Sequence, residues 1–318
     1  MNGTRIIGVA VTGQDAGEVL ERIVHMEELG IPAAWLTSGG AGRDSLTMFA
    51  AAAARTDRIL LGTSIVPIFP RHPVVMATQA RVLAEMAPGR FRLGVGPSHR
   101  AGTERTFGYD FQAPLGHLRE YLRILKALIQ QGQVDFEGDY YTARAQSGVS
   151  LDVPVMASAL RQRSFELCGA EADGAISWVC PGQYLQEVAV PAMREGAAQA
   201  GKDVPPLIAH APVCVHDDVA EMRAAVREQM SNYPASPFYQ QMFAEAGFPE
   251  ALETSEWSDG MMDAVVLSGD EATVRERLME MFAYGATELV LSPVVAGSDR
   301  NGSLERTLRL VAEVSQGR

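Results

Sequence analysis

The sequence predicts an α/β fold of one kind, a (β/α)8 TIM barrel with insertions, and three observations predict it. Short apolar, β-branched runs alternate with amphipathic helical runs along the chain, the pattern of a parallel sheet with helical crossovers. Several strand runs end in polar, Gly-containing sequence, such as Gly62-Thr63-Ser64 and Gly94-Val95-Gly96-Pro97-Ser98-His99, and parallel α/β folds bind ligands at such ends. Gly94-Val95-Gly96 runs into Pro, Ser and His rather than completing GxGxxG, so the doubly wound nucleotide fold is not indicated.

The elements follow in order. Residues 5–12 read as a buried strand; Asp15 caps a helix bearing Val19, Leu20, Ile23 and Val24, which Gly30 ends. Residues 33–37 form strand two, closing in Ser38-Gly39-Gly40, and an Ala-rich helix starts at Asp44 or Ser45. Residues 59–68 are strand three. Pro70, His72 and Pro73 break it, Pro73 being suited to the first turn of the next helix, and Pro88-Gly89 stops that helix before strand four, 91–95. Residues 114–131 carry Leu118, Leu122, Leu125 and Ile129 on one helical face. A hairpin insertion is expected near 133–148, then strands at 153–158, 172–179, 207–215 and 288–294, with helices between and after them. Residues 232–264, rich in Pro, Ser, aromatics and Met, break the rhythm and read as a lid-like insertion. No linker divides the chain, so one domain over 1–318 is expected.

Composition narrows the function. A net charge of −12 argues against nucleic acid or an anionic membrane as partner. Cys168, Cys180 and Cys214 are far apart and form no CxxC, which suits reduced thiols in the cytoplasm; no signal peptide or membrane-length apolar run occurs. Walker A, HExxH and GxSxG sequences are absent. His210 and His216 lie an even number apart but lack carboxylate partners, so no metal site is expected. The residues alone point to a barrel enzyme of open chemistry.

Residues 61–74, LGTSIVPIFPRHPV, and 88–99, PGRFRLGVGPSH, resemble the luciferase-like monooxygenase superfamily, in the arrangement of its coenzyme F420-dependent oxidoreductase branch. His117-Leu-Arg-Glu-Tyr121, Val134–Gly138, Pro154-Val-Met-Ala157, Glu171-Ala-Asp-Gly174 and Pro212-Val-Cys-Val215 agree in order, so the resemblance spans nearly the whole chain. It implies a bacterial luciferase-like barrel, a homodimer, and a flavin-like ring bound across the C-terminal strand ends. It also implies a non-prolyl cis bond at Ser64–Ile65 behind that ring. Further cofactor contacts are implied at Thr37, Ser38, Thr63, Pro97, Ser98, Ala157, Ser158, Ala159, Arg161, Arg163, Gly174, Ser177 and Trp178. Arg161 and Arg163 open a helix and suit a phosphate. Many relatives carry an acid or His where this chain has Thr37 and Ser38, which leaves His99 as the candidate to protonate or orient substrate. His72 is expected to support the turn before Pro73.

Three functions stay open at this point. One is F420-dependent hydride transfer to or from a small, largely apolar organic substrate; another is an FMN-dependent two-component monooxygenase; the third is a non-catalytic flavin-binding barrel. An apolar lid of Tyr233, Phe238, Tyr239, Met242, Phe243 and Trp257 is expected over the substrate.

Overall fold

The computed structural model describes residues 5–317. Its strands are β1 (Ile6–Ala10), β2 (Ala33–Leu36), β3 (Leu60–Thr63), β4 (Val66–Pro67), β5 (Phe91–Gly96), β6 (Gln133–Glu137), β7 (Thr142–Gln146), β8 (Val155–Ser158), β9 (Gly174–Trp178), β10 (Leu207–Val215), β11 (Leu267–Gly269) and β12 (Glu288–Pro293). Eight of them, β1, β2, β3, β5, β8, β9, β10 and β12, pair in parallel, and the β9–β10 and β12–β1 contacts close the ring. The helices are α1 (Ala16–Leu29), α2 (Ser45–Ala53), α3 (Pro73–Met86), α4 (Arg100–Phe107), α5 (Pro114–Gln130), α6 (Gln162–Glu171), α7 (Gly182–Tyr184), α8 (Val190–Gln199), α9 (Val219–Gln229), α10 (Pro237–Glu245), α11 (Asp259–Val265), α12 (Glu271–Ala283) and α13 (Arg300–Ser315). No helix among the described residues is long and apolar enough to cross a membrane.

The caps at Asp15, Asp44 and Gly30 are those the sequence implied, and the structure adds one at Asp270. Asp15 accepts from Glu18 N, Asp44 from Thr47 N and Asp270 from Thr273 N, while Gly30 ends α1 at φ 84°. The RHP segment is a capping device: His72 accepts from Val74 N, Pro73 opens α3, and Arg71 reaches Asp44 at the start of α2 (2.7 Å). Glu120 on α5 accepts from the backbone N–H groups of Asp139, Tyr140 and Tyr141, which pins the β6–β7 hairpin to the barrel.

Some elements differ from expectation. Residues 100–107, too polar to show an apolar period, form α4, which Gly108 ends at φ 70°. The helix expected at 183–200 widens at Leu185–Ala189, where Val190 N bonds back to Leu185 O, because Pro191 supplies no N–H to the ladder.

The barrel interior is one small cluster, separate from the larger layer between strands and helices. Trp35, Ala33, Met156, Ile176, Ile208 and Val290 fill it, with Ile6, Ala10, Leu60 and Ile65 at its margins. Trp35 lies across Gly8 and Gly62, where a Cβ would come within 2.5 Å of its indole. At the base, Arg92 pairs with Glu288, both side chains being largely buried.

Candidate active site

The C-terminal ends of the strands form a mouth whose floor is built around strand three. That strand splits into β3 and β4 at Ser64–Ile65, which is a cis peptide. Neighbouring groups hold the segment: Ser64 N donates to Leu36 O (2.8 Å), the Thr37 hydroxyl donates to Ser64 O (2.6 Å), and Ser38 N donates to Ile65 O (3.1 Å). Ile65 turns onto the barrel interior. The Ser64 hydroxyl is buried and has no hydrogen-bond partner. Beside them Gly96 lets Ser158 and Ile65 pack directly against the backbone, since a Cβ there would come 2.1 Å from Ser158 Oγ and 3.3 Å from Ile65 Cγ1.

Above the floor stand aromatic rings from three parts of the chain. His99 follows β5 and lies 5.7 Å from Tyr239 and 6.4 Å from Tyr233, ring centre to ring centre. Trp178, the last residue of β9, lies 5.5 Å from Tyr233 and 4.3 Å from His210, its register partner on β10. His210 is buried, with Nε2 2.8 Å from Ser292 Oγ, and burial lowers its pKa to about 3. Burial among the neighbouring rings also lowers the pKa of His99, although the residue as a whole stays exposed. Burial raises those of Tyr233 and Tyr239. At neutral pH this wall carries no charge. Val179, just past Trp178, is buried at φ 48°, a conformation disfavoured for a β-branched residue.

The luciferase-like monooxygenase family model matches residues 4–288. The chain belongs to this family. An uncharacterized protein of Mycobacterium tuberculosis is 29% identical over 306 residues, covering 86% of this chain and 89% of the relative. An F420-dependent glucose-6-phosphate dehydrogenase of Mycolicibacterium gilvum is 33% identical over 204 residues, 58% of this chain and 60% of the relative. Among solved structures, an F420-dependent secondary alcohol dehydrogenase in complex with an F420–acetone adduct superimposes with a TM-score of 0.81, at 18% identity, over 97% of this chain and 98% of the other. At that identity it bears on the fold alone.

This luciferase-like barrel brings Thr37, Ser38, Ser64, Ile65, Pro97, Ser98, Ser158, Trp178 and His99 to the mouth. Other sequence-derived positions are corrected. Gly174 begins β9, so it lies at the opposite end of the barrel, with room only for Met156 Sδ beside it. Ala157 and Ala159 alternate with Ser158 and pack into the outer layer, where the Ala157 carbonyl accepts from the Cys168 thiol. Ser177 alternates with Trp178 and is in register with Ala209, so it too faces outward. Thr63 is committed to the sheet: its hydroxyl donates to Gly94 O (2.8 Å) and accepts from Gly94 N (2.7 Å) at the gap between β3 and β4. Arg161 is paired with Glu245 on α10, whereas exposed Arg163 has no partner among the described residues.

The expected lid divides in two. Tyr233 and Tyr239 face the mouth, but Met242, Phe243 and Trp257 form the insertion's own core, and Phe238 is exposed. Trp257 Nε1 donates to Met230 O (2.9 Å). Sequence reasoning did not place His210 in the site. Its parity with Ile208 on an otherwise buried strand was the available signal, since both face the interior. His216 lies past β10 and bonds Glu221 (2.8 Å), and no group of three metal-ligating side chains occurs among the described residues.

A surface hollow lies elsewhere. A cavity of about 290 Å³ lies between α3, α5 and the hairpin, lined by Val74, Ala77, Leu128 and Leu151, away from the strand ends.

Proposed function

We propose that this luciferase-like chain is a coenzyme F420-dependent oxidoreductase moving a hydride between the deazaflavin and a small, largely apolar organic substrate. The observation that carries the reading is the floor at β3–β4: apolar Ile65, packed close to Gly96, lies beside a buried, unpartnered Ser64 hydroxyl. Such a surface fits a planar ring with polar edges, and the orphan hydroxyl supplies one hydrogen bond to it. The F420-dependent relatives named above favour the deazaflavin over FMN.

When bound, the deazaflavin supplies two-electron hydride chemistry. The chain's part is placement. Thr37 and Ser38 hold the Ser64–Ile65 segment that backs the ring, Pro97 and Ser98 border it, and Trp178 closes its far side. Thr37 donates its hydroxyl to Ser64 O, so it is not free as a proton donor. Proton transfer falls instead to His99, whose lowered pKa keeps its imidazole neutral and so able to accept a proton. Arg163, exposed and without a partner among the described residues, would receive the cofactor's phosphate, while Arg161 stays paired with Glu245.

The compartment we propose is the cytoplasm, since all three cysteines are unpaired. The assembly is a homodimer, in keeping with Val75, Val82 and Met86, 49%, 52% and 41% exposed along α3. Parallel fluorescence titrations of the purified protein with F420 and FMN test the function. Tight F420 and weak FMN binding is expected; the reverse preference identifies a flavin monooxygenase, and binding of neither removes the proposal.

A further inference from the structure

The rings at the mouth form an unbroken run: His99–Tyr239 (38° between planes), Tyr239–Tyr233 (5.1 Å, 76°), Tyr233–Trp178 (65°) and Trp178–His210 (57°). The charged groups bordering it are committed elsewhere. Glu245 pairs with Arg161 and accepts from the Tyr184 hydroxyl (3.2 Å), and Arg100 pairs with Glu104 while lying over Phe111. Arg163 stands on α6, where it is assigned to the cofactor.

We propose that the substrate is an uncharged aromatic compound, held by edge-and-face contact with Tyr233 and Tyr239, and that a phosphorylated sugar is excluded. The proposal rests on the hydride-transfer reading only for the place where the substrate sits. Steeply inclined rings present both electron-rich faces and electron-poor edges, which a flat guest ring can meet at once and a saturated ring cannot. A phosphate against this wall would lose its water without gaining a counter-charge. The insertion is therefore the specificity element, and the Glu245 contacts to Arg161 and Tyr184 set where its tyrosines stand.

The test is saturation-transfer NMR on the full chain, with and without F420, using benzyl alcohol, cyclohexylmethanol and glucose 6-phosphate as probes. Benzyl alcohol is expected to bind about tenfold tighter than cyclohexylmethanol, with no binding of the sugar phosphate. Tyr233→Leu and Tyr239→Leu should each erase that preference while F420 titrations stay unchanged. Tyr239→Phe, which keeps the ring, should retain it and controls for folding. Equal binding of the two alcohols, no binding of benzyl alcohol, or tighter binding of glucose 6-phosphate overturns the proposal. If F420 does not bind, the hydride-transfer reading falls, and the ring preference is still decided on the cofactor-free protein.

Discussion

The two ends of the barrel solve opposite problems with the same alternation of side chains. At the base, inward-facing charge is matched: Arg92 and Glu288 pair across the interior beneath Trp35, which is wedged against Gly8 and Gly62. At the mouth, inward-facing positions carry neutral rings and a hydroxyl without a partner. A matched ion pair under a close-packed indole closes the barrel to water. The unpartnered Ser64 hydroxyl leaves bonding capacity for something that is not the protein. The difference locates stability at one end and chemistry at the other, as barrel enzymes generally divide them.

That division can be broken most strongly at the base. Trp35→Ala should destabilise the fold by about 3–5 kcal/mol, read by urea unfolding, because neither Gly8 nor Gly62 can fill the space. Arg92→Met, leaving Glu288 alone in the interior, should cost about 3–5 kcal/mol, and adding Glu288→Leu should recover most of it. If the single variant is as stable as the parent, the base is not closed by that pair.

The mouth should respond in function instead. His99→Ala is expected to lower kcat about a hundredfold with the melting temperature unchanged, measured by loss of deazaflavin absorbance. His210 gives a stability effect of defined sign. Its folded pKa is about 3, below the ordinary histidine value, so between pH 6.5 and 3 the unfolded chain binds the extra proton. Stability should therefore rise with pH in that window, and acidification from pH 6.5 to 5 should cost about 2 kcal/mol. A flatter slope in His210→Gln, by denaturant titration at the two pH values, checks it. The smallest effect is at Glu245, whose pair with Arg161 is partly exposed. Glu245→Gln should change stability by no more than about 1 kcal/mol while loosening the insertion, seen as faster hydrogen exchange in α10.

Much of the barrel was legible because its signals are local. Caps such as Asp15 and Asp44, the Pro73 helix start and the Gly30 stop each act within one turn of chain. The polar α4 was not legible, because its helix shows no apolar face. The site was legible only in part. Ser64, Ile65 and His99 lie at strand ends that the sequence marks, but Gly174, Ala157 and Ser177 show that a motif near a strand end does not say which face or which end a residue takes.

By itself, then, the sequence determined the order of strands and helices, the caps that bound them, and the aromatic, Pro- and Met-rich character of the 232–264 insertion. Only the tertiary structure decided which residues meet: Thr37 with the Ser64 carbonyl, Arg161 with Glu245, Trp178 with His210, and Tyr233 and Tyr239 with His99. The physical reason is separation along the chain. Period and capping are set by neighbours within a few residues, whereas these contacts join residues 27 to 140 positions apart, and closing the barrel is what brings them within reach.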